Sequence, residues 1–252
     1  MSFLKKLEGL VSKKKRPTLN DSWEAAGDRD EMDLAKFSEF VARNFHQGLT
    51  YLDIGAHAGR YVEAVLINTK NDSNRIYAYE ANPNLCKQLV LNFPMITISN
   101  IAISDKVGSV YFNICNYDGL SGLLMRKNGL PIGAVYEEIE VATATLDSLE
   151  LQSSVDLIKI DVEGSELEVL AGSINLIKKY GPILLVEHGP TEDTVSASHT
   201  KALYDLIVKI KYDVYTIDGF KILNLESWLN VYFNQPVWNY WLIPSEKQMN
   251  FA

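Results

Sequence analysis

Acidic side chains close four of the apolar runs in this chain: Asp53 after TYL, Glu80 after RIYAY, Asp161 after LIKI, and Glu187, with His188 behind it, after ILLV. A carboxylate in such a place can accept hydrogen bonds from sugar hydroxyls, pair with a cation or take a proton. An imidazole adds a group that titrates near neutral pH. Asp53 leads directly into Gly55-Ala56-His57-Ala58-Gly59. A glycine turn between a strand and a helix lets the backbone approach a ligand closely. The carboxylate ahead of that turn disfavours a pyrophosphate and favours a ligand carrying a sulfonium or ammonium. Glu80, about twenty residues beyond Gly59, is placed to hold ribose hydroxyls.

These acids share an edge only if their strands lie in one sheet. The periodicity predicts a helix over Glu31–Phe45, a strand at Thr50–Ile54 and a helix from Arg60 with Tyr61, Val62, Val65 and Leu66 on its apolar side. Strands follow at Arg75–Tyr79 and Met95–Asn100, around a helix from about Asn84 to Asn92. Ser109–Ile114 and Glu137–Thr143 alternate as a β-hairpin inserted at about 109–143. The alternation then resumes with a strand at Asp156–Asp161, a helix at Ser165–Tyr180, a strand at Ile183–Glu187 and a helix at about Thr200–Lys211. The last strands are Tyr212–Ile217 and Tyr240–Ile243. The fold expected is α/β: a Rossmann-like, doubly wound, mainly parallel seven-stranded sheet with helices on both faces, the inserted hairpin and an antiparallel last strand. Ligands of such sheets bind outside the carboxyl ends of the strands, where the acids stand. The apolar residues from Trp228 to Trp241 read as core for the last strands.

Composition sets the outer limits. A chain of 252 residues with 47% hydrophobic side chains suits one large domain, here residues 31–252. Residues 1–30 read as a basic tail and a linker. In the tail Lys5, Lys6, Lys13, Lys14, Lys15 and Arg16 stand against Glu8, so the net charge of -8 arises in the rest of the chain. That acidity argues against a nucleic-acid partner. The tail offers a weak contact for an anionic membrane, against the plainer reading of a solvated end. It lacks the continuous apolar stretch of a secretory signal, and no run is long enough to span a bilayer. Cys86 and Cys115 have no metal spacing and read as thiols of a reducing compartment, so a cytoplasmic protein is expected.

Several segments, in order, resemble the FkbM-type class I S-adenosylmethionine-dependent methyltransferases: LDIGAHAGRY, YAYEANP, SNIAISDKVGSVYF, TATLDSL, LIKIDVEGSELEVLAG and LLVEHG. The likeness runs from about Thr50 to Gly189, and more weakly through YDVYTIDG and WNYWLIP. It implies S-adenosylmethionine as cofactor, with Asp53, Gly55, Ala56, His57, Gly59 and Tyr61 around its methionine end. Glu80, Ala81 and Asn82 would attend the ribose, Ala102 and Ser104 would lie toward the adenine, and Asp161 would face the transferred methyl. His57 departs from the family, where Asn is more usual.

A hydroxyl acceptor needs a base. Asp161, His188, Glu163 and Glu187 are the candidates, with Asp161 and His188 expected to orient and deprotonate it. The same four could gather a divalent cation, though no metal is required. Tyr117, Met125 and Tyr136, with Ser121 and Gly122, are candidates for an acceptor lid on the hairpin. The acceptor implied is a sugar, glycan or secondary-metabolite hydroxyl. The rivals are an NAD-dependent oxidoreductase, which wants a G-x-G-x-x-G turn the chain lacks, and a non-catalytic binding module, which would not need all these acids.

Overall fold

A computed structural model of the chain describes residues 19–46, 48–69, 73–117, 120–123, 131–151, 153–189, 197–234 and 237–251, leaving aside the side chains of 19–28, 197 and 232–234. The basic tail and Met125 lie outside the described residues. In chain order the elements are α1 (Leu19–Asn44), β1 (Thr50–Ile54), α2 (Arg60–Thr69), β2 (Arg75–Tyr79), α3 (Pro83–Asn92), β3 (Thr97–Ser99) and β4 (Ala102–Ile103). Next come β5 (Gly108–Cys115), β6 (Tyr136–Ala144), β7 (Leu157–Ile160), α4 (Glu166–Ala171), α5 (Ile174–Tyr180) and β8 (Ile183–Glu187). The last are α6 (Ala197–Lys209), β9 (Tyr212–Thr216), β10 (Lys221–Ile222), α7 (Leu225–Asn234) and β11 (Asn239–Pro244).

The main sheet has eight strands in the order β10-β9-β11-β8-β7-β1-β2-β3. The run from β3 to β8 is parallel, and β11 inserts antiparallel between β8 and β9. The sheet thus exceeds the seven strands expected by the two-residue β10, too short to show a period. Alternation along each strand sends successive side chains to opposite faces. One face carries Leu52, Ile54, Ile158, Ile160, Leu184, Val186 and Leu242, packed with Leu170, Ile177, Leu203 and Trp228 from α4 to α7. The other carries Tyr51, Leu157, Ile183, Leu185 and Trp241, packed with Phe37, Phe40, Val62, Val65 and Leu89 from α1 to α3. Burial of both faces accounts for the continuous apolar runs. The hairpin β5–β6 forms a separate sheet, in which β4 runs parallel to β6.

Three elements differ from the sequence expectation. The stretch to Asp30, read as linker, is helical from Leu19; its helix formers carry no apolar period to reveal it. The single helix expected over 165–180 is divided at Gly172-Ser173, and Gly172 lets the chain pass close to Ser104, whose backbone oxygen would stand 2.1 Å from a Cβ there. The C-terminal apolar run divides into α7 and β11, whose Trp228 and Trp241 are buried on opposite faces of the sheet. No helix among the described residues is long and apolar enough to cross a membrane.

Candidate active site

The parallel register sets Asp53 of β1 directly beside Lys159 of β7. Continued by one residue, the β7–β8 register sets Asp161 beside Glu187. All four side chains project from the face packed under α1 and α2, and they converge at the carboxyl edge. Lys159 is 1% exposed, and its Nζ lies 2.6 Å from Asp161 Oδ2 and 4.3 Å from the centre of the Tyr61 ring. Burial opposes its charge, but Asp161, Tyr61 and Asp53 outweigh that and raise its pKa above the ordinary lysine value.

Asp53 is 1% exposed, and neither of its carboxylate oxygens has a hydrogen-bond partner. The Tyr51 hydroxyl beside it favours its charged form, yet stays outside hydrogen-bond geometry and is itself buried without a partner. Burial pushes the Asp53 carboxyl up to about 6, with Lys159 pulling the other way and Asp161 adding to the rise. Buried polar groups in native proteins are nearly all paired, so a bare carboxylate at a ligand edge marks a place for a donor or cation. Burial, and then the neighbouring Asp161, also raises Glu187 well above the ordinary value. Asp30 of α1 is raised too, again by burial first and Asp161 second.

The glycine turn is tied to both flanking strands. The Gly55 and Ala56 amides donate to Tyr79 O at 2.9 and 3.1 Å, and the Asp161 amide donates to Ile54 O at 3.0 Å. Gly55 has φ +79°, and a Cβ there would stand 1.8 Å from the Asp161 backbone oxygen. Gly59 brings the start of α2 against Phe93 and Leu89. His57 has φ +49°. That is the left-handed region Asn enters at low cost, which accounts physically for Asn being usual there.

Glu80 is 6% exposed, with Oε2 accepting the His57 amide at 2.8 Å and Oε1 the Asn82 amide at 2.7 Å. It therefore braces the glycine turn against the β2 turn, and a carboxylate still has lone pairs to offer hydroxyls. Asn82 is the N-cap of α3, accepting the Asn84 amide at 2.9 Å ahead of Pro83. Asn100 fixes the same turn by donating to the carbonyls of Glu80 and Ala81. Ala81 and Ala102 meet in a small apolar cluster with Phe112 and Val141. Ser104 is packed against Gly172 instead.

His188 does not join this group. It follows Glu187 in the strand direction and so points to the opposite face, where it is 1% exposed. Its Nδ1 lies 3.3 Å from Glu166 Oε2 and its Nε2 3.1 Å from Thr200 Oγ1, with Trp228 packed on the ring. With both nitrogens engaged inside the protein, it cannot reach an acceptor hydroxyl from this position. Glu163, at φ +54°, stands in the turn before α4. We expect His188→Ala to leave Glu166 Oε2 buried without its partner, though Oε1 keeps the Gly164 amide, and to cost about 3 kcal/mol in thermal or urea unfolding. A loss well under 1 kcal/mol would contradict this structural role.

On the hairpin, Tyr117 donates to Ile132 O at 2.7 Å, and Ser121 Oγ accepts the Cys115 amide at 3.0 Å. Gly122 bridges to Asn113. Among the described residues no cluster of three His, Cys, Asp or Glu has metal-binding geometry. Sequence reading missed Lys159, Asn239 and Asp33, the last two joined at 2.9 Å beside Glu187. A lysine inside the apolar run LIKI was the available signal for the first.

Residues 53–222 match the family model of the methyltransferase FkbM domain. Among solved structures, the methyltransferase FkbM from Methylobacillus flagellatus KT aligns with TM-score 0.48 and 17% identity, over 82% of this chain. This chain spans about half of that one, 47% of its length. A SAM-dependent O-methyltransferase from Thermotoga maritima aligns with TM-score 0.45 and 10% identity, over 84% of this chain and 66% of that one. A sugar N-methyltransferase from Streptoalloteichus sp ATCC 53650 gives TM-score 0.45 and 7% identity, over 89% and 93%. No curated protein matches the chain.

Proposed function

This chain belongs to the FkbM methyltransferase family, and on that premise we propose that it transfers a methyl group from S-adenosylmethionine to a hydroxyl of a sugar, glycan or secondary metabolite, in the cytoplasm. The observation that carries the cofactor is Asp53, a buried carboxylate without a hydrogen-bond partner two residues before Gly55, where the backbone leaves no room for a Cβ. Such a carboxylate fits a cationic ligand and repels a pyrophosphate. Asp53 would hold the α-ammonium end, the backbone from Gly55 to Gly59 would accommodate the methionine portion, and Glu80 would offer its lone pairs to the ribose. Ala81 and Ala102 present an apolar surface to the base. When bound, the cofactor supplies an electrophilic methyl carbon on a positive sulfur.

The chain's own task is then to place an acceptor oxygen in line and remove its proton. Asp161 takes that proton. Its carboxyl is partly exposed at the edge while its backbone is fixed to β1, so it faces ligand without moving. The proton removed from the acceptor would rest on Asp161, beside Glu187. His188, expected from sequence to share this role, passes it to Asp161 and serves to hold α4 and α6 to β8. Glu163 contributes negative charge beside Glu187.

Calorimetry with S-adenosylhomocysteine and NAD tests the cofactor, and a screen of labelled-methyl transfer onto hydroxylated sugars, glycans and small metabolites tests the acceptor. We expect micromolar binding of the first ligand and none of NAD; the reverse would overturn the reading. With an acceptor in hand, Asp161→Asn should lower turnover by about 10²–10⁴-fold and leave S-adenosylhomocysteine affinity within a few fold. Undiminished turnover would remove Asp161 from the role of base.

A further inference from the structure

Lys159 is the one member of the buried edge group to which the proposed chemistry assigns no task. We infer that Lys159 is a positioning residue for methyl transfer: its ammonium, 2.6 Å from Asp161 Oδ2 and seated over the Tyr61 ring, holds Asp161 as the ionised base. This rests on the methyl-transfer reading above for its purpose, though not for its geometry.

A lysine buried to 1% in the middle of a parallel sheet is expensive to desolvate. Leu157, two residues earlier on the same face, shows what the strand position accepts when no charge is used. The ammonium also has a direction. It bonds Asp161 and lies across the strand from Asp53. Of two coupled carboxyls, the one in contact with a fixed cation keeps its charge and the other keeps the proton. A base must be unprotonated to act, so the contact selects which carboxyl faces the acceptor in working form.

The other groups facing Asp161 do not supply that selection. Asp53 from β1 and Glu187 from β8 are acids, as are Asp30 and Asp33 from α1, Glu80 beyond β2 and Glu163 in the following turn. Among the cations nearby, Arg60 of α2 is paired with Glu31 at 2.5 Å and Arg29 is stacked on Trp238. Tyr61 enters as a neutral ring under the ammonium.

The decisive measurement uses the ligand-free chain: carbon NMR titration of aspartate labelled at the carboxyl carbon, with the Asp161 signal assigned through Asp161→Asn. In Lys159→Met the Asp161 carboxyl should titrate at least one pH unit higher than in the native chain. An unshifted titration would overturn the inference, and a lowered midpoint with unshifted titration would make Lys159 merely structural. If Lys159→Met fails to fold, the reciprocal test applies, in which Asp161→Asn lowers the titration of Lys159 followed through its labelled ε-carbon; no change there overturns the coupling. S-adenosylhomocysteine binding by the native chain is scored separately. Its absence would sink the methyl-transfer reading while the carboxyl titration still reported on Lys159.

Discussion

Asp53→Asn should make the folded chain progressively more stable than the native one as pH rises, and should weaken S-adenosylhomocysteine binding at least tenfold. The folded-state carboxyl titrates at about 6 against an ordinary value of 3.8. Below the lower value the group is protonated in both states and contributes nothing. Between the two values the unfolded chain releases a proton that the folded chain retains, so stability falls as pH rises through that window. About two units of pKa correspond to about 3 kcal/mol. The stability difference between variant and native chain should therefore grow by up to about 3 kcal/mol from about pH 4 to pH 7. Taking the change across pH cancels the constant cost of burying the new amide. Urea unfolding at a series of pH values reads it, and a difference independent of pH would show that Asp53 is not a strained carboxylate.

Ligand binding should show the opposite sign. An ammonium beside Asp53 lowers its pKa toward the ordinary value, so the bound state releases a proton that the free state holds. Affinity for S-adenosylhomocysteine should therefore strengthen as pH rises through about 6 and level off above it. Asp53→Asn should abolish that dependence along with most of the affinity. The native side chain thus costs stability in the empty protein and returns it when a cation arrives.

Gly55→Ala should be the most damaging single methyl group in the chain, costing at least about 3 kcal/mol. Two effects add. The residue has φ +79°, where any Cβ is strained, and the new carbon would lie 1.8 Å from the backbone oxygen of Asp161. A flexible side chain could swing aside, but this oxygen belongs to the chain end that β7 and its bond to Ile54 hold in place. The ends of β1 and β7 must separate, which also moves Asp161 from Lys159. Gly133→Ala is the control, because its φ of +86° is equally unfavourable while its nearest neighbour would be 3.9 Å away. It should lose only about 1 kcal/mol. Equal losses at the two positions would mean that the contact with Asp161 carries no weight.

The two sites illustrate what could be read without coordinates. Asp53, Gly55 and Glu80 announce themselves because a strand end, a glycine turn and a following acid are local in sequence. His188 misleads for the same reason. It adjoins Glu187 in the chain, yet a strand sends neighbours to opposite faces, and only the tertiary structure shows His188 engaged with Glu166 of α4 and Thr200 of α6. Lys159 is hidden inside an apolar run, where its charge makes sense only once Asp161 and Asp53 are known to flank it. The helix over Leu19–Asp30 and the two-residue β10 escaped because neither carries an apolar period.

By itself the order of residues determined the alternation of strands and helices, the parallel sheet, the inserted hairpin and the family, since each depends on short-range pattern or on long quoted runs. Tertiary structure alone decided which acids converge at one edge, which of them burial raises, and that a buried lysine stands among them. The reason is that ionisation depends on burial and on charges brought together across strands, and the register that brings Asp53 to Lys159 joins residues more than a hundred positions apart.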